Sequence, residues 1–346
     1  MCTDLRLVRL PDMHVSARTL DFQFDTRARL QVVPRGQQWQ ATPTELPAVP
    51  ALTWTNALGF VAMDCFGFPD YFSDGLNEAG LSVGTLWLPE TDLPASPPAP
   101  DAAGAAGAPV IDFANVASWL LGTCRTVADA RAALSSVTIW SPTFGELAAS
   151  HGLDPHAPAL ASLAQQQPTE HLSIHDASGG DLVVEFLPGG AVFHDNPIGV
   201  LTNSPTYDWH LTNLRNYVGL TNVEARPVNL MGMPVTPTGN GSGLLGMPGD
   251  VTPPSRFVRA TMLTQVVDRA ADHRDAVNQA FHCLDIVSVP RFVAASGDYT
   301  QWSVARDHDN LIYYVRSYDS WTTDAHDLRQ LGVIEPGPRS VLARPA

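Results

Sequence analysis

Strand-like and helix-like segments come in blocks along this chain, and that ordering constrains the fold more than any other feature. Short apolar or alternating runs broken by turn residues fill the first third: Leu5 to Leu10, Val15 to Leu20, Leu30 to Val33, Gly59 to Met63 and Leu81 to Leu88. DGLNEAGL, Asp74 to Leu81, adds Asp-Gly and Ala-Gly turn signals before the last of them. Helical periodicity begins at Val110, with Phe113, Val116, Trp119 and Leu120 on one face, and Thr126 caps a second helix running to Leu134. Strands return in HLSIHD, DLVVEF and AVFHD, a meander turning at Gly179-Gly180 and Gly189-Gly190. Helices follow at Tyr207 to Tyr217, Ser255 to Ala270 and Arg274 to Leu284, then strands at Tyr299 to Ala305 and Leu311 to Ser317. Irregular stretches at Pro89 to Pro109 and Ser141 to Pro168 separate the blocks, the second with Ala-Leu pieces suited to a short helix. Long βαβ alternation and fixed-period repeats are absent, so the pattern predicts an α+β fold of antiparallel sheets with helices segregated outside them.

The 346 residues are 45% hydrophobic, enough for a large core, and the whole of 2–346 is expected to form a single domain. The net charge of −15, with arginine as the sole strongly basic residue type and no lysine, argues against nucleic-acid and anionic-membrane partners. No apolar run approaches the roughly 20 residues that span a bilayer. No secretory signal is visible, so the expected compartment is the cytoplasm, or the periplasm or exterior if Met1 stands where an export signal was removed.

Four cysteines, Cys2, Cys65, Cys124 and Cys283, fit neither a zinc spacing nor a C-x-x-C motif. Cys65, Cys124 and Cys283 lie in apolar runs and read as buried thiols. Cys2 is different in kind. Removal of Met1 would give one residue both a thiol and a free α-amine, a nucleophile with its own base. Such a residue needs a carboxylate to hold the amine, a cation to favour the thiolate and donors for an oxyanion. SARTLDF supplies Arg18 and Asp21, and a hairpin of the first two strands would bring them beside Cys2; taken alone, the segment reads as a surface ion pair. His171 and His175 in HLSIH sit too far apart in a strand to chelate, and no metal site is expected. GNGSGLLG lacks the lysine and context of a phosphate loop.

Cys2 with SARTLDF, DGLNEAGL, LTNSPTYDWHLTNLRNY, GMPGDVTPPSRFVR and GDYTQWSVARDHDNLIYY, in that order, resembles the choloylglycine hydrolases, the penicillin V acylases and conjugated bile acid hydrolases. The resemblance runs from Cys2 to about Tyr314. It implies an N-terminal nucleophile hydrolase with an αββα sandwich of two antiparallel sheets between helical layers. It implies Cys2 as nucleophile, Arg18 and Asp21 as its partners, Asn203 in LTNSP as the group that supports the oxyanion or orients the scissile amide, and Arg256 in PPSRFVR as an ordering cation. Where many bile salt hydrolases carry an asparagine, this chain has Trp87, a feature similar to the penicillin V acylase branch. Trp87 then either donates its indole N–H to the oxyanion, packs on the acyl group while a backbone N–H donates, or simply packs in the core. Phe22, Phe24, Phe66, Phe68 and Tyr71 are candidates for an acyl pocket or for ordinary burial, and Arg215 and Asn216 read as structural. The implied substrate is a small acyl amide, with penicillin V first and N-acyl homoserine lactones and bile conjugates behind it. No cofactor is implied, and a homo-oligomer, tetramer or dimer, is expected. The rivals are a silent relative that only binds acylated ligands and an interaction protein using its acidic surface.

Overall fold

Alternation of side chains along the strands sets the layering. In the strand Phe60–Cys65, Val61 and Met63 join one apolar core while Phe60 and Ala62 join another, so both faces of the sheet are buried. The protein is described here by a computed structural model that covers residues 1–42, 50–97, 108–155 and 160–342. One sheet has the spatial order Val200–Leu201, Cys2–Arg6, Val15–Phe22, Tyr299–Asp307, Ile312–Ser317 and Asp324–Asp327. The other runs Gly190–Asp195, Asp181–Leu187, Glu170–His175, Ser82–Trp87, Phe68–Asn77, Phe60–Cys65, Leu30–Val33 and Ser340–Val341. Every pairing within these two sheets is antiparallel.

The helices Pro253–Val266 and His273–Val287 cover the first sheet, burying Phe257, Ala260, Val277, Ala280 and Leu284 against it. Phe113–Thr123, buried nearly end to end, covers the second. The result is the expected α+β sandwich of two antiparallel sheets between helices. Among the described residues no helix is long and apolar enough to cross a membrane.

Several boundaries differ from the sequence reading. The first strand is Cys2–Arg6 rather than Leu5 to Leu10, because Leu7 to Leu10 already turn, with Val8 N–H on Arg6 O and Leu10 N–H on Leu7 O. Val110–Asp112 is a short strand paired in parallel with Thr138–Trp140, and the helix begins at Phe113. Asp74 to Asn77 is not a turn but the end of the strand Phe68–Asn77, and the chain reverses after it. Asn77 enforces that reversal: its Oδ1 accepts from Ala79 and Leu81 N–H, and Gly80 takes φ +81°. The helix Phe144–Ser150 fills part of the second irregular stretch, behind a Thr143–Glu146 capping box. Residues 98–107 and 156–159, within the two irregular stretches, lie outside the described residues.

Candidate active site

Cys2 opens the first strand, and the hairpin register places it opposite Leu20, with Asp4 opposite Arg18. Cys2, Asp4 and Arg6 therefore share the face that looks across to the second sheet, while Thr3 and Leu5 look toward the helices. Arg18 lies on that inner face as well, fully buried, with its Nη2 3.5 Å from the Cys2 sulfur. The same guanidinium donates to the carbonyls of Ser73 and Thr85 on the opposing sheet and to Asp74 Oδ2 at 3.3 Å. Burial works against this charge, yet Cys2 and Asp74 outweigh it and hold the Arg18 pKa above its ordinary value.

The helix side of the same strand end carries the second cation. Arg256, on the first turn of Pro253–Val266, donates from Nη1 to Cys2 O and Thr3 Oγ1, both at 2.5 Å, and from Nη2 to Asn203 Oδ1 at 2.8 Å. Burial pushes its pKa below the usual arginine value, with Asp21 and Cys2 opposing that shift. Asn203 Oδ1 also accepts the Cys2 backbone N–H at 2.7 Å, and its Nδ2 donates to Trp87 O at 2.8 Å. One Nδ2 hydrogen thus remains for a further acceptor. Asp21 Oδ1 accepts from Thr300 Oγ1 at 2.6 Å, whereas Oδ2 is buried without a hydrogen-bond partner, 3.7 Å from Arg256 Nη1. Met1 sits just outside, its amine donating to Asp21 O and facing Asp298 Oδ1 at 3.4 Å.

The structure thus brings Cys2, Arg18, Asp21, Asn203 and Arg256 into one constellation. It also brings Phe22, Phe24, Phe66 and Trp87 together beside it. Phe22 lies edge-on to Phe24, Phe66 and Trp87, with ring centroids 5.0, 5.3 and 5.9 Å away. Phe22, Phe24 and Trp87 are only half-buried. Phe66 also lines an open cavity of about 340 Å³ with Arg27, Arg29, Gly67, Leu153 and Leu160. Phe68 lies deeper in the same apolar cluster, fully buried against Tyr71 and His151. Arg215 and Asn216 are exposed in a 3-10 turn after the helix Tyr207–Leu214.

Sequence reasoning assigned no role to Asp74, Thr300, Asp298 or Glu170, whose Oε2 accepts from Tyr71 Oη at 2.7 Å. Asp74 was disguised as turn chemistry, and Thr300 lies in the quoted GDYTQW block with nothing in its type to mark it. His175 is held by two carboxylates, Nε2 2.7 Å from Asp4 and Nδ1 2.6 Å from Asp181, and His171 by Thr202 O at 3.0 Å. The other three thiols are buried, which pushes Cys65 well above its usual value and Cys124 and Cys283 up to about 11.

Residues 2–335 match the family model for linear amide C–N hydrolases of the choloylglycine hydrolase family. The chain belongs to that family. As a choloylglycine hydrolase family member it is an amide hydrolase acting on linear C–N bonds. A bile salt hydrolase/transferase from Clostridium perfringens is 29% identical over 95% of this chain and 93% of its own. A penicillin V acylase from Pectobacterium atrosepticum is 25% identical over 94% of this chain and 80% of its own. The crystal structure of a mutant conjugated bile acid hydrolase from Clostridium perfringens superposes with TM-score 0.80 at 26% identity, covering 99% of this chain and 97% of that one.

Proposed function

We propose that loss of Met1 turns Cys2 into an N-terminal nucleophile that removes an aromatic or medium-chain acyl group from a linear amide, with penicillin V as the first substrate. The observation that carries this reading is the vacancy in hydrogen bonding at Asp21 Oδ2, beside a Cys2 whose nitrogen is already pinned to Asn203 Oδ1 at 2.7 Å. A freed Cys2 amine has these two acceptors available, and the thiol has Arg18 Nη2 at 3.5 Å. The amine takes the thiol proton and the sulfur adds to the amide carbonyl. The remaining Asn203 Nδ2 hydrogen, with a backbone N–H, steadies the oxyanion. Collapse breaks the C–N bond, the ammonium returns its proton to the leaving amine, and water hydrolyses the acyl-thioester. Trp87 acts through packing in this reading, its ring edge-on to Phe22 as part of an aromatic wall for the acyl group.

A second reading, hydrolysis of bile acid conjugates, is favoured by the names of the relatives matched at 28–29% identity. One panel tests both: initial rates on penicillin V, glycine- and taurine-conjugated bile acids and N-acyl homoserine lactones, beside intact mass. A mature chain lacking Met1, active on penicillin V and inactive as Cys2→Ala, is the expected result. A preference for bile conjugates moves the assignment to the second reading. Full activity in Cys2→Ala, or tight acyl-amide binding without turnover in the trimmed wild type, overturns the mechanism.

A further inference from the structure

Arg18 is the near end of a buried ladder of charges running between the two sheets. Asp74 bridges two arginines. Its Oδ2 receives Arg18 Nη1 at 3.3 Å and Arg306 Nη2, while its Oδ1 receives Arg306 Nε at 3.0 Å and Tyr313 Oη at 2.8 Å. Arg306 continues to Asp4 Oδ2 at 2.8 Å, Asp4 to His175, and His175 to Asp181, which Arg6 Nη1 meets at 2.9 Å. Asp4, Arg18, Asp74, His175 and Arg306 have no solvent exposure. The opposing sheet leaves room for them at Gly84, where a Cβ would stand 3.2 Å from Asp4 Oδ2 and 3.3 Å from Asp74 Oδ2.

The charges do not balance. Both ring nitrogens of His175 face carboxylate oxygens, which only accept, so the ring carries both protons and one positive charge. Arg6, Arg18, Arg306 and His175 make four cations against the three carboxylates Asp4, Asp74 and Asp181. A buried array with one uncompensated positive charge favours an anion at its open end. The group at that end is the Cys2 sulfur, in contact with Arg18. The other charged and titratable groups around the sulfur are Cys65 from the second sheet and Arg256 with Asp21 from the helix side. Glu170, which accepts from Tyr71 Oη, also feels Arg18, but burial pushes its pKa up toward the neutral form, so it offsets the surplus less than an ordinary carboxylate would.

We propose that Asp74 and Arg306 are positioning residues for Arg18, and that the net positive ladder they form with Asp4, His175, Asp181 and Arg6 holds Cys2 as its missing anion. The proposal rests on the reading of Cys2 as nucleophile but uses a readout that needs no amide substrate. Neither Asp74 nor Arg306 is a partner of Cys2, so their effects reach the thiol through charge and through Arg18.

The test is the pH midpoint of Cys2 alkylation by iodoacetamide in the trimmed protein, followed by mass of the N-terminal peptide. Asp74→Asn removes a negative charge, and its midpoint falls by about one pH unit; Arg306→Gln removes a positive charge, and its midpoint rises by about one unit. His175→Gln, farther along the ladder, raises it by about half a unit and Asp181→Asn lowers it by about as much, and this opposed pair carries the test if the first two variants fail to fold. The variants lower kcat more than they change KM. Opposed shifts are the signature, because a loosened core moves every variant in the same direction. Shifts of one sign in all variants, or no shift in any, overturn the proposal. Amidase activity surviving in Cys2→Ala would instead sink the functional reading and leave the opposed midpoints standing.

Discussion

Against the helix Phe113–Thr123, the second sheet presents Phe60, Ala62, Phe72, Val83, Leu172, Ile174 and Val184. Across from the Cys2 strand, the opposite face of the same sheet presents Asp74, Gly84 and His175 to Asp4, Arg18 and Arg306. Neighbouring residues of single strands serve both layers, as Leu172 and Ile174 do on one side and His175 on the other. The outer layer is non-directional and is stabilised by apolar area. The inner one depends on each carboxylate and cation keeping its partner, since removal of one leaves a buried charge unmatched. Desolvation makes such an array a weak source of stability compared with apolar packing.

The largest expected effect that separates the layers is at Arg18. Arg18→Met leaves Asp74 and the Ser73 and Thr85 carbonyls short of a donor, and is expected to lower unfolding free energy by about 3–5 kcal/mol. Turnover should fall by about a hundredfold or more, because the thiol loses its adjacent cation. Urea unfolding and kcat/KM check the two arms. A variant as stable as the wild type would break the contrast between the layers.

The inner layer is also the one expected to respond to pH. Burial alone would depress His175, but Asp4 and Asp181 outweigh it and raise its pKa from 6.5 to about 9. A value raised on folding gives stability that is fully present below the unfolded value near 6.5 and is lost as pH climbs through about 9. At about 1.4 kcal/mol per unit, the contribution is about 3 kcal/mol. Unfolding free energies measured at pH 6 and pH 9.5 should therefore converge in His175→Gln relative to the wild type. An unchanged pH slope in the variant would mean that the imidazolium is not held as the geometry describes.

The outer layer gives a smaller and pH-independent response. Phe60 is fully buried edge-on to Phe72, and Phe60→Leu is expected to cost about 1–1.5 kcal/mol with kcat/KM unchanged. A change in turnover would show that the layers are coupled through the sheet.

The two layers also differed in how far the sequence revealed them. The apolar run in FVAMDC and the alternation in HLSIH mark strands, and periodicity around Phe113, Val116 and Trp119 marks the covering helix, because apolar burial leaves a pattern. The hairpin that puts Arg18 beside Cys2 was legible from the two short runs and the turn between them. Phe22, Phe24, Phe66 and Trp87 were legible as an aromatic group, with Phe68 deeper in the same cluster against Tyr71 and His151. The ladder was not legible. Asp4, Asp74 and Arg306 lie 70 and 232 residues apart in successive steps, and a charged residue in a strand gives no sign of which partner will reach it. Asp74 was further masked by the glycine after it, which marks a turn in most strand contexts. Here Gly75 instead admits Leu121, whose Cδ1 lies 2.6 Å from where a Cβ would stand.

The smallest expected effect lies outside both layers, where the sequence was most explicit. Thr126 is half-buried at the start of the helix Val127–Leu134. Its Oγ1 accepts from Asp129 N–H at 3.1 Å, and Asp129 Oδ2 accepts from Thr126 N–H at 3.0 Å. This reciprocal pair satisfies two otherwise unpaired groups using residues three apart, which is why it can be read without any tertiary information. Thr126→Ala removes one of the two bonds in solvent and should cost about 1 kcal/mol, with no change in turnover or in the alkylation midpoint of Cys2. A loss of several kcal/mol in thermal or urea unfolding would mean that this helix start is tied into the apolar layer through Val127, and that the outer layer reaches farther than its buried residues indicate.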